Sequence, residues 1–264
     1  MASVTVEELL AAGVHFGHQT KRWNPKMKKY IFAARNGIHV VDLNKTLTQI
    51  EVACGFLHET ILGGGTILFV GTKKQAQQEI KEAATRTGMP YVVDRWLGGT
   101  LTNLRTIRNS VKRMQEIDRL LTSPEGEQLP KKEVASLRRE QSKLHRNLDG
   151  IVNMERMPAA MFVVDIQREA IAIHEAQRLG IPIIALVDTN CDPDQATYPI
   201  AGNDDAIRAV KLITAVIANT VAEAQAELSR KYPPPPPPAP EATIVAQPQA
   251  EPVAAPPEQS PVSA

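Results

Sequence analysis

The sequence predicts an α/β fold, a parallel sheet with helices on both faces, and two observations carry that prediction. From Gly37 onward short β-branched runs alternate with longer helical patterns; the runs IHVVDL, TILFVGT, YVVD, MFVVD and IIALVD are the expected strands. A strand with one face in water alternates polar and apolar residues, whereas these are nearly continuously apolar, as strands buried on both faces must be. The second observation is size: 264 residues, 43% of them hydrophobic, are enough to close a core without a disulfide or a metal.

The helices follow in order. Between the first two strands Leu47, Ile50, Cys54, Leu57 and Ile61 recur at spacings of three and four, and Gly63 to Gly65 end the helix. After the third strand two long helical patterns follow one another with no strand between them. Leu104, Ile107, Val111, Met114, Ile117 and Leu121 form one stripe; Val134, Leu137, Leu144, Leu148 and Ile151 form the other. The linker TSPEGEQLP is a turn, so the expectation is an antiparallel helical hairpin (coiled coil) inserted into the sheet domain and sealed by its own narrow seam. Near the end Asn203 is the expected N-cap of a last helix whose face carries Ile207, Val210, Ile217, Val221, Ala224 and Leu228. The expected organisation is therefore 1–100 and 156–231 for the α/β domain, 101–155 for the inserted hairpin, and 232–264 for a disordered tail opening with PPPPPPAP.

Charge is distributed unevenly. The net charge is only +1, but after Lys231 there are three glutamates and no base, so the first 231 residues carry +4. No acid lies between Glu8 and Asp42, a span holding Lys21, Arg22, Lys26, Lys28, Lys29 and Arg35 with Trp23, Tyr30 and Phe32 among them. Lysine and arginine neutralise phosphates and aromatic faces stack on unpaired bases, so the segment 15–37 is a candidate RNA-facing element; the bland alternative is a solvated basic loop with its aromatics in the core. The Asn24-Pro25 step is expected to keep it non-helical. A second basic set runs from Arg95 and Trp96 through Gly98 and Gly99 into a helix whose Arg105, Arg108 and Lys112 share a face, with Arg113 nearby.

Other chemistry finds less support. The glycines of GGGTILFVGTKK precede their strand, so the phosphate-loop spacing fails, and no G-x-G-x-x-G occurs. DTNCDPD opens like a calcium loop but has Pro193 and Pro199 where the turn glycine and closing glutamate belong. His15, His18 and His39 lack a completing ligand, which leaves packing or contacts to phosphate and base. Asp42, Asp94, Asp165 and Asp188 close four strands at the edge where open α/β sheets bind ligands; an enzyme using Asp42, Asp165 and Asp188 around a metal for a phosphate-bearing substrate is the rival reading, caps and loop contacts the structural one. A third reading gives the work to the hairpin and the proline tail, docking a partner's aromatic groove. Cys54 lies on an apolar stripe as a small buried hydrophobe. The opening MASVTVEELLAAG is too acidic for a signal peptide and no apolar run reaches a membrane-spanning length, so a soluble intracellular protein is expected.

The stretches RWNPKMKKYIFAARNGIHVVDLNKT, FVGTKKQA, RWLGGTLTN and GIPIIALVDTNCDPDQATYPIAGNDDAIRA closely resemble the bacterial and plastid family of small-subunit ribosomal protein two, over nearly all of residues 1–230. The resemblance implies a flavodoxin-like parallel sheet of about five strands with a protruding helical hairpin and no catalysis. It implies binding to small-subunit rRNA on the solvent side near the head and body junction, and docking of neighbouring small-subunit proteins including the large mRNA-binding one. It implies a location on the ribosome, in a bacterial cytoplasm or a plastid stroma, with neither membrane nor small-molecule substrate as partner. No cofactor follows from it, although a structural Mg²⁺ near Asp188 stays open. Carried onto this chain, the RNA-facing motif matches Lys21 to Arg35 and the RWxGGTLTN turn matches Arg95 to Asn103. Charge and residue type then single out His18, Lys21, Arg22, Trp23, Asn24, Lys26, Lys28, Lys29, Tyr30, Arg35, Arg95, Trp96, Thr102, Asn103, Arg105, Arg108, Lys112 and Arg113 as RNA-binding. Ala201 stands where the family often has proline, a change expected to touch only a local turn.

Overall fold

A computed structural model describes residues 4–231, so the proline-rich tail expected at 232–264 lies outside the described residues. The chain begins with helix α1 (Val6–Ala11), closed at its start by a capping box between Thr5 and Glu8. Strands β1 (Phe16–Gln19), β2 (Ile31–Arg35) and β3 (Ile38–Val41) then form a small antiparallel sheet in the order β1-β3-β2. Helix α2 (Leu43–Leu62) leads to β4 (Ile67–Val70), α3 (Lys74–Thr87) and the two-residue β5 (Tyr91–Val92). Helices α4 (Leu104–Thr122), α5 (Pro124–Glu127) and α6 (Lys131–Leu148) follow, then β6 (Ala160–Val164), α7 (Ala170–Arg178), β7 (Ile183–Val187), β8 (Tyr198–Ala201) and α8 (Ile207–Lys231).

The main sheet is parallel throughout, five strands in the order β5-β4-β6-β7-β8. Every residue of β4, β6 and β7 is buried, as their unbroken apolar character requires. Alternate side chains feed two cores. Phe69 and Phe162, edge to face with centroids 5.7 Å apart, point with Ile184 and Leu186 toward α2, α3 and α8. Leu68, Val70, Met161 and Val163 point the other way, toward α4 and α7. The order runs outward from β4 to β5 and then returns to β6 on the other side of β4, which places a topological switch point between β4 and β6.

Four expectations need correction. Ile38–Val41 is not a strand of the parallel sheet: only Val41 in it is buried, and it pairs antiparallel with β1 and β2. The fifth parallel strand is Tyr198–Ala201, a segment outside the five expected strands, so Ala201 lies in a strand rather than a local turn; Pro199 is tolerated because β8 lies at the sheet's edge. Residues Pro25–Tyr30 form a 3₁₀ turn rather than a non-helical stretch, since proline suits the first position of a helical turn and Asn24 caps it. The last helix starts at Ile207, and Ile207 itself is exposed; Asn203 instead accepts from the backbone of Asp205 and Ala206 in the turn before it.

Helices α4 and α6 pack on each other, tied by Arg113 to Glu140 (3.2 Å), by Gln141 to Asp118 (2.7 Å) and by His145 Nε2 to Asp118 (2.9 Å). The stripe of α4 does not serve α6 alone, for Ile107, Val111 and Met114 belong to the core shared with β4, β6 and α7. Among the described residues no helix is long and apolar enough to cross a membrane. Cys54 is buried and unpaired with another cysteine, as expected.

His145 lies between Asp118 and Asp149, and its hydrogen bonds to them, chiefly the one to Asp118, raise its pKa above the ordinary value. The contribution of charged His145 to the link between α4 and α6 is therefore fully present at acidic pH and is lost as pH rises through the raised value, while the Arg113–Glu140 and Gln141–Asp118 ties remain. An NMR titration of the His145 ring should give a midpoint above about 6.5, and Asp118→Asn should lower it; an identical midpoint in the variant would remove Asp118 as the cause.

Candidate nucleic-acid interface

The basic turn is built around Met27. That side chain is fully buried in the core under α4 and α7, so the turn is anchored while Lys26, Lys28 and Lys29 around it stay in solvent. Asn24 holds the entry: its side chain accepts from Lys26 N at 2.9 Å, and its own N–H donates to Thr189 O at 2.8 Å. Tyr30 is half-buried against the same core, and Trp23, also half-buried, lies tilted on the His39 ring at 5.1 Å. The bland alternative thus holds for part of the aromatic set. Phe32 is the opposite case, 76% exposed on β2.

The six cations of the segment divide into two groups. Lys26 Nζ lies 2.8 Å from Asp192 and 3.0 Å from Asp194, and Lys29 Nζ lies 3.8 Å from Asp194 and over its own Tyr30 ring. Lys21, Arg22, Lys28 and Arg35 are exposed and meet no acid among the described residues. These four form the open part of the basic surface.

His18 is engaged differently from its neighbours. Its Nδ1 is 3.0 Å from Asp188 and its Nε2 is 3.5 Å from Asp205. It therefore points into a cluster at the carboxyl edge of the main sheet, where Lys73 Nζ sits 3.4 Å from Asp165, 2.8 Å from Asp204 and 2.6 Å from Asp205. The loops after β4, β6, β7 and β8 each contribute one or two of these groups. Asp165 takes a left-handed backbone, φ 69°, to reach its place. Burial and the neighbouring Asp188 and Asp165 push Asp204 up to about 7. Burial works against the charge on Lys73, but its hydrogen bonds to Asp204 and Asp205 outweigh that and keep it ionised. Burial and crowded carboxylates around one ammonium explain both directions: the lysine is held charged, and Asp204 takes up a proton at a higher pH than an ordinary carboxylate.

This arrangement corrects the strand-end reading. Asp165 and Asp188 do converge, joined by Asp204 and Asp205, but Asp42 caps α2 through Asn44 N and pairs with Lys45, and Asp94 accepts from Arg146. Among the described residues the groups with ligand atoms near enough for one ion are His18, Asp188, Asp204 and Asp205, and Asp165, Cys191 and Asp204; Asp42 is in neither. The Lys73 ammonium already supplies a positive charge to these carboxylates.

The RWLGGTLTN turn wraps a carboxylate that patterning alone did not single out. Buried Glu175 on α7 accepts from Trp96 Nε1 (3.0 Å), Gly99 N (2.7 Å), Leu101 N (3.0 Å), Thr102 N (3.0 Å) and Thr102 Oγ1 (3.1 Å). Burial alone would raise its pKa, but these donors outweigh it and the pKa falls. Trp96 is accordingly a core residue and Thr102 a ligand of Glu175, while Arg95 and Asn103 remain exposed. Gly99, at φ 90°, permits the sharp bend. The signal for Glu175 was present, since it falls among Ala172, Ile173 and Ala176 on the buried face of its helix. On α4, Arg105, Arg108 and Lys112 are exposed without an acid partner among the described residues, whereas Arg113 is bound to Glu140.

Glu175→Ala strands five donors and should cost roughly 3 kcal/mol or more in chemical denaturation, with Glu175→Gln recovering part of it. His18, raised chiefly by its bond to Asp188, and Asp204 both have folded pKa values above their unfolded ones, so their contributions are present at low pH and lost as pH rises. Amide exchange in Phe16–Gln19 and Ile38–Val41 should therefore accelerate from about pH 6 to 8.5 relative to Ile183–Val187, and His18→Asn should flatten that difference.

Comparison with known proteins identifies relatives of the chain. The family model described as Ribosomal protein S2 matches residues 9–224. The small ribosomal subunit protein uS2 of Acidothermus cellulolyticus is 58% identical over 226 residues, covering 84% of this chain and 82% of that protein. The uS2 proteins of Treponema pallidum subsp. pallidum and Micrococcus luteus are 57% and 56% identical over 224 residues, covering 85% and 84% of this chain and 77% and 79% of theirs. With a family match spanning most of its length and relatives at this identity, the chain belongs to the ribosomal protein S2 family.

Proposed function

We propose that this chain is a non-catalytic structural constituent of the small ribosomal subunit that binds rRNA through its basic N-terminal turn and the exposed row on α4. The observation that carries the binding surface is the group of four cations without an acid partner among the described residues: Lys28 on the turn that Met27 anchors, Lys21 and Arg22 just before it, and Arg35 at the end of β2, with Phe32 exposed on the same strand. Phosphates draw such a surface in without regard to sequence, and an exposed ring adds a face for an unpaired base. Arg105, Arg108 and Lys112 extend the same chemistry along α4. Lys26, Lys29 and Arg113 reach RNA only by exchanging a carboxylate for a phosphate, so they add less to affinity than their charge suggests. His18, Asn24, Trp96 and Thr102 serve by fixing the shape of the two basic elements. The family relationship supports association with the ribosome in a bacterial cytoplasm, and extends the reading to contacts with neighbouring small-subunit proteins, including the large mRNA-binding one.

Replacing Lys21, Arg22, Lys28 and Arg35 together by glutamate should reduce incorporation into small subunits steeply, and should lower the slope of log affinity against log salt by roughly 0.7 to 0.9 for each phosphate that is no longer neutralised. Lys81→Glu on α3 is the control and should leave both unchanged. Full occupancy of purified subunits by the quadruple variant at moderate salt would overturn the proposal.

A further inference from the structure

A second basic feature lies away from the N-terminal turn, at the carboxyl edge of the sheet. A cavity of about 440 Å³ opens there between the loops after β4 and β5, the end of α6 and the start of α7. Three arginines from three different elements line it: Arg95, Arg146 and Arg168. We propose that this cavity is a phosphate-binding site, taking a single phosphate group of the kind carried by a polynucleotide backbone.

Each arginine has donors to spare. Arg168 Nε donates to Thr72 Oγ1 at 3.0 Å and Arg146 Nε donates to Asp94 at 3.1 Å, and the terminal nitrogens of both have no partner among the described residues. Arg95 is exposed with no partner at all among them. Each contact uses only Nε and leaves the terminal N–H edge of Arg168 and Arg146 for a ligand, the edge with which guanidinium grips phosphate oxygens bidentately.

The acids on the same wall offset only part of this charge. Glu169 lines the cavity but is buried, its carboxyl accepting from Thr72 N at 2.8 Å and Thr72 Oγ1 at 2.5 Å, and burial pushes its pKa up. Asp94 is occupied by Arg146. The cavity therefore presents cationic edges over a wall whose carboxylates are already satisfied.

Its position agrees with its chemistry. The cavity flanks the switch point between β4 and β6, where open α/β sheets receive phosphate-bearing ligands. The neighbouring part of that edge, between β6 and β8, is filled by Lys73 and its aspartates, but this part is open. Arg95 also begins the turn that leads to Arg105, Arg108 and Lys112, so a strand whose phosphate sits in the cavity has further cations along its path. As a site for RNA this inference rests on the proposed function; as a site for phosphate it stands independently.

The full chain, labelled with nitrogen-15, should be titrated at about pH 6 with inorganic phosphate and separately with a short single-stranded ribonucleotide, following the arginine Nε–H signals. Both ligands should shift Arg95, Arg146 and Arg168 saturably with a common midpoint. Arg95→Ala, which removes no internal contact, should weaken that midpoint about tenfold or more for each ligand, and Arg178→Ala should leave it alone. If RNA moves the signals of Lys21 to Arg35 but neither ligand moves the three arginines, the cavity proposal fails and the RNA interface stands. If phosphate moves the three arginines and RNA moves nothing, the phosphate site stands and the RNA reading fails.

Discussion

The ammonium of Lys73, held among Asp165, Asp204 and Asp205, is the constraint on which the arrangement of the functional surfaces depends. It joins the loop that follows β4 to those that follow β6 and β8, and its aspartates share the same cluster with His18, whose strand carries the basic turn. Breaking such a pair is far costlier than leaving it intact, because the group left behind is a buried charge without compensation. The edge of the sheet that serves as a ligand crevice in other α/β proteins is here, for most of its length, a joint between the sheet and the small N-terminal sheet. Asn24 N–H to Thr189 O and His18 N–H to Thr189 Oγ1 complete that joint, so the basic turn is held from two directions.

The same joint explains how a chain of net charge +1 presents a basic surface. Charge that a sequence sums to near zero is separated in space by the fold. Asp165, Asp188 and Asp204 are drawn to the carboxyl edge, where Lys73 and His18 meet them, and Glu175 is drawn into the core, where backbone N–H groups meet it. The acids so removed no longer screen Lys21, Arg22, Lys28, Arg35, Arg105, Arg108 and Lys112 on the outside. A locally positive potential then needs no large net charge.

Sequence patterning reaches the parts of this fold that local physics decides. The strands β4, β6 and β7 are legible because burial on both faces leaves a continuous apolar record, and the α2 stripe is legible because helical spacing is local. The run at Ile38–Val41 looks similar in composition but its pairing partners are a matter of topology, which composition does not encode. Tyr198–Ala201 is hidden by the proline in its middle, a residue that argues against a strand unless the strand is known to lie at an edge. The basic turn and the α4 row are visible as charge and spacing, but the Lys26–Asp192, His18–Asp188 and Trp96–Glu175 contacts join residues far apart in the chain and leave no local trace.

Those long-range contacts decide which cations are available, and that bears on how such an interface works. In the sequence, Lys26, Lys28 and Lys29 form one triplet; in the fold, Lys28 faces solvent while its two neighbours lean on Asp192 and Asp194. A phosphate approaching Lys28 replaces water, whereas one approaching Lys26 displaces a carboxylate, so only part of its Coulombic attraction survives as affinity. In the proposed interface the paired lysines would still help the free ones, because their ties to the Asp192–Asp194 loop restrain the turn and so reduce the ordering that binding has to impose. The strength of the basic surface is thus set jointly by the cations left unpartnered and by the rigidity that the partnered ones confer on them.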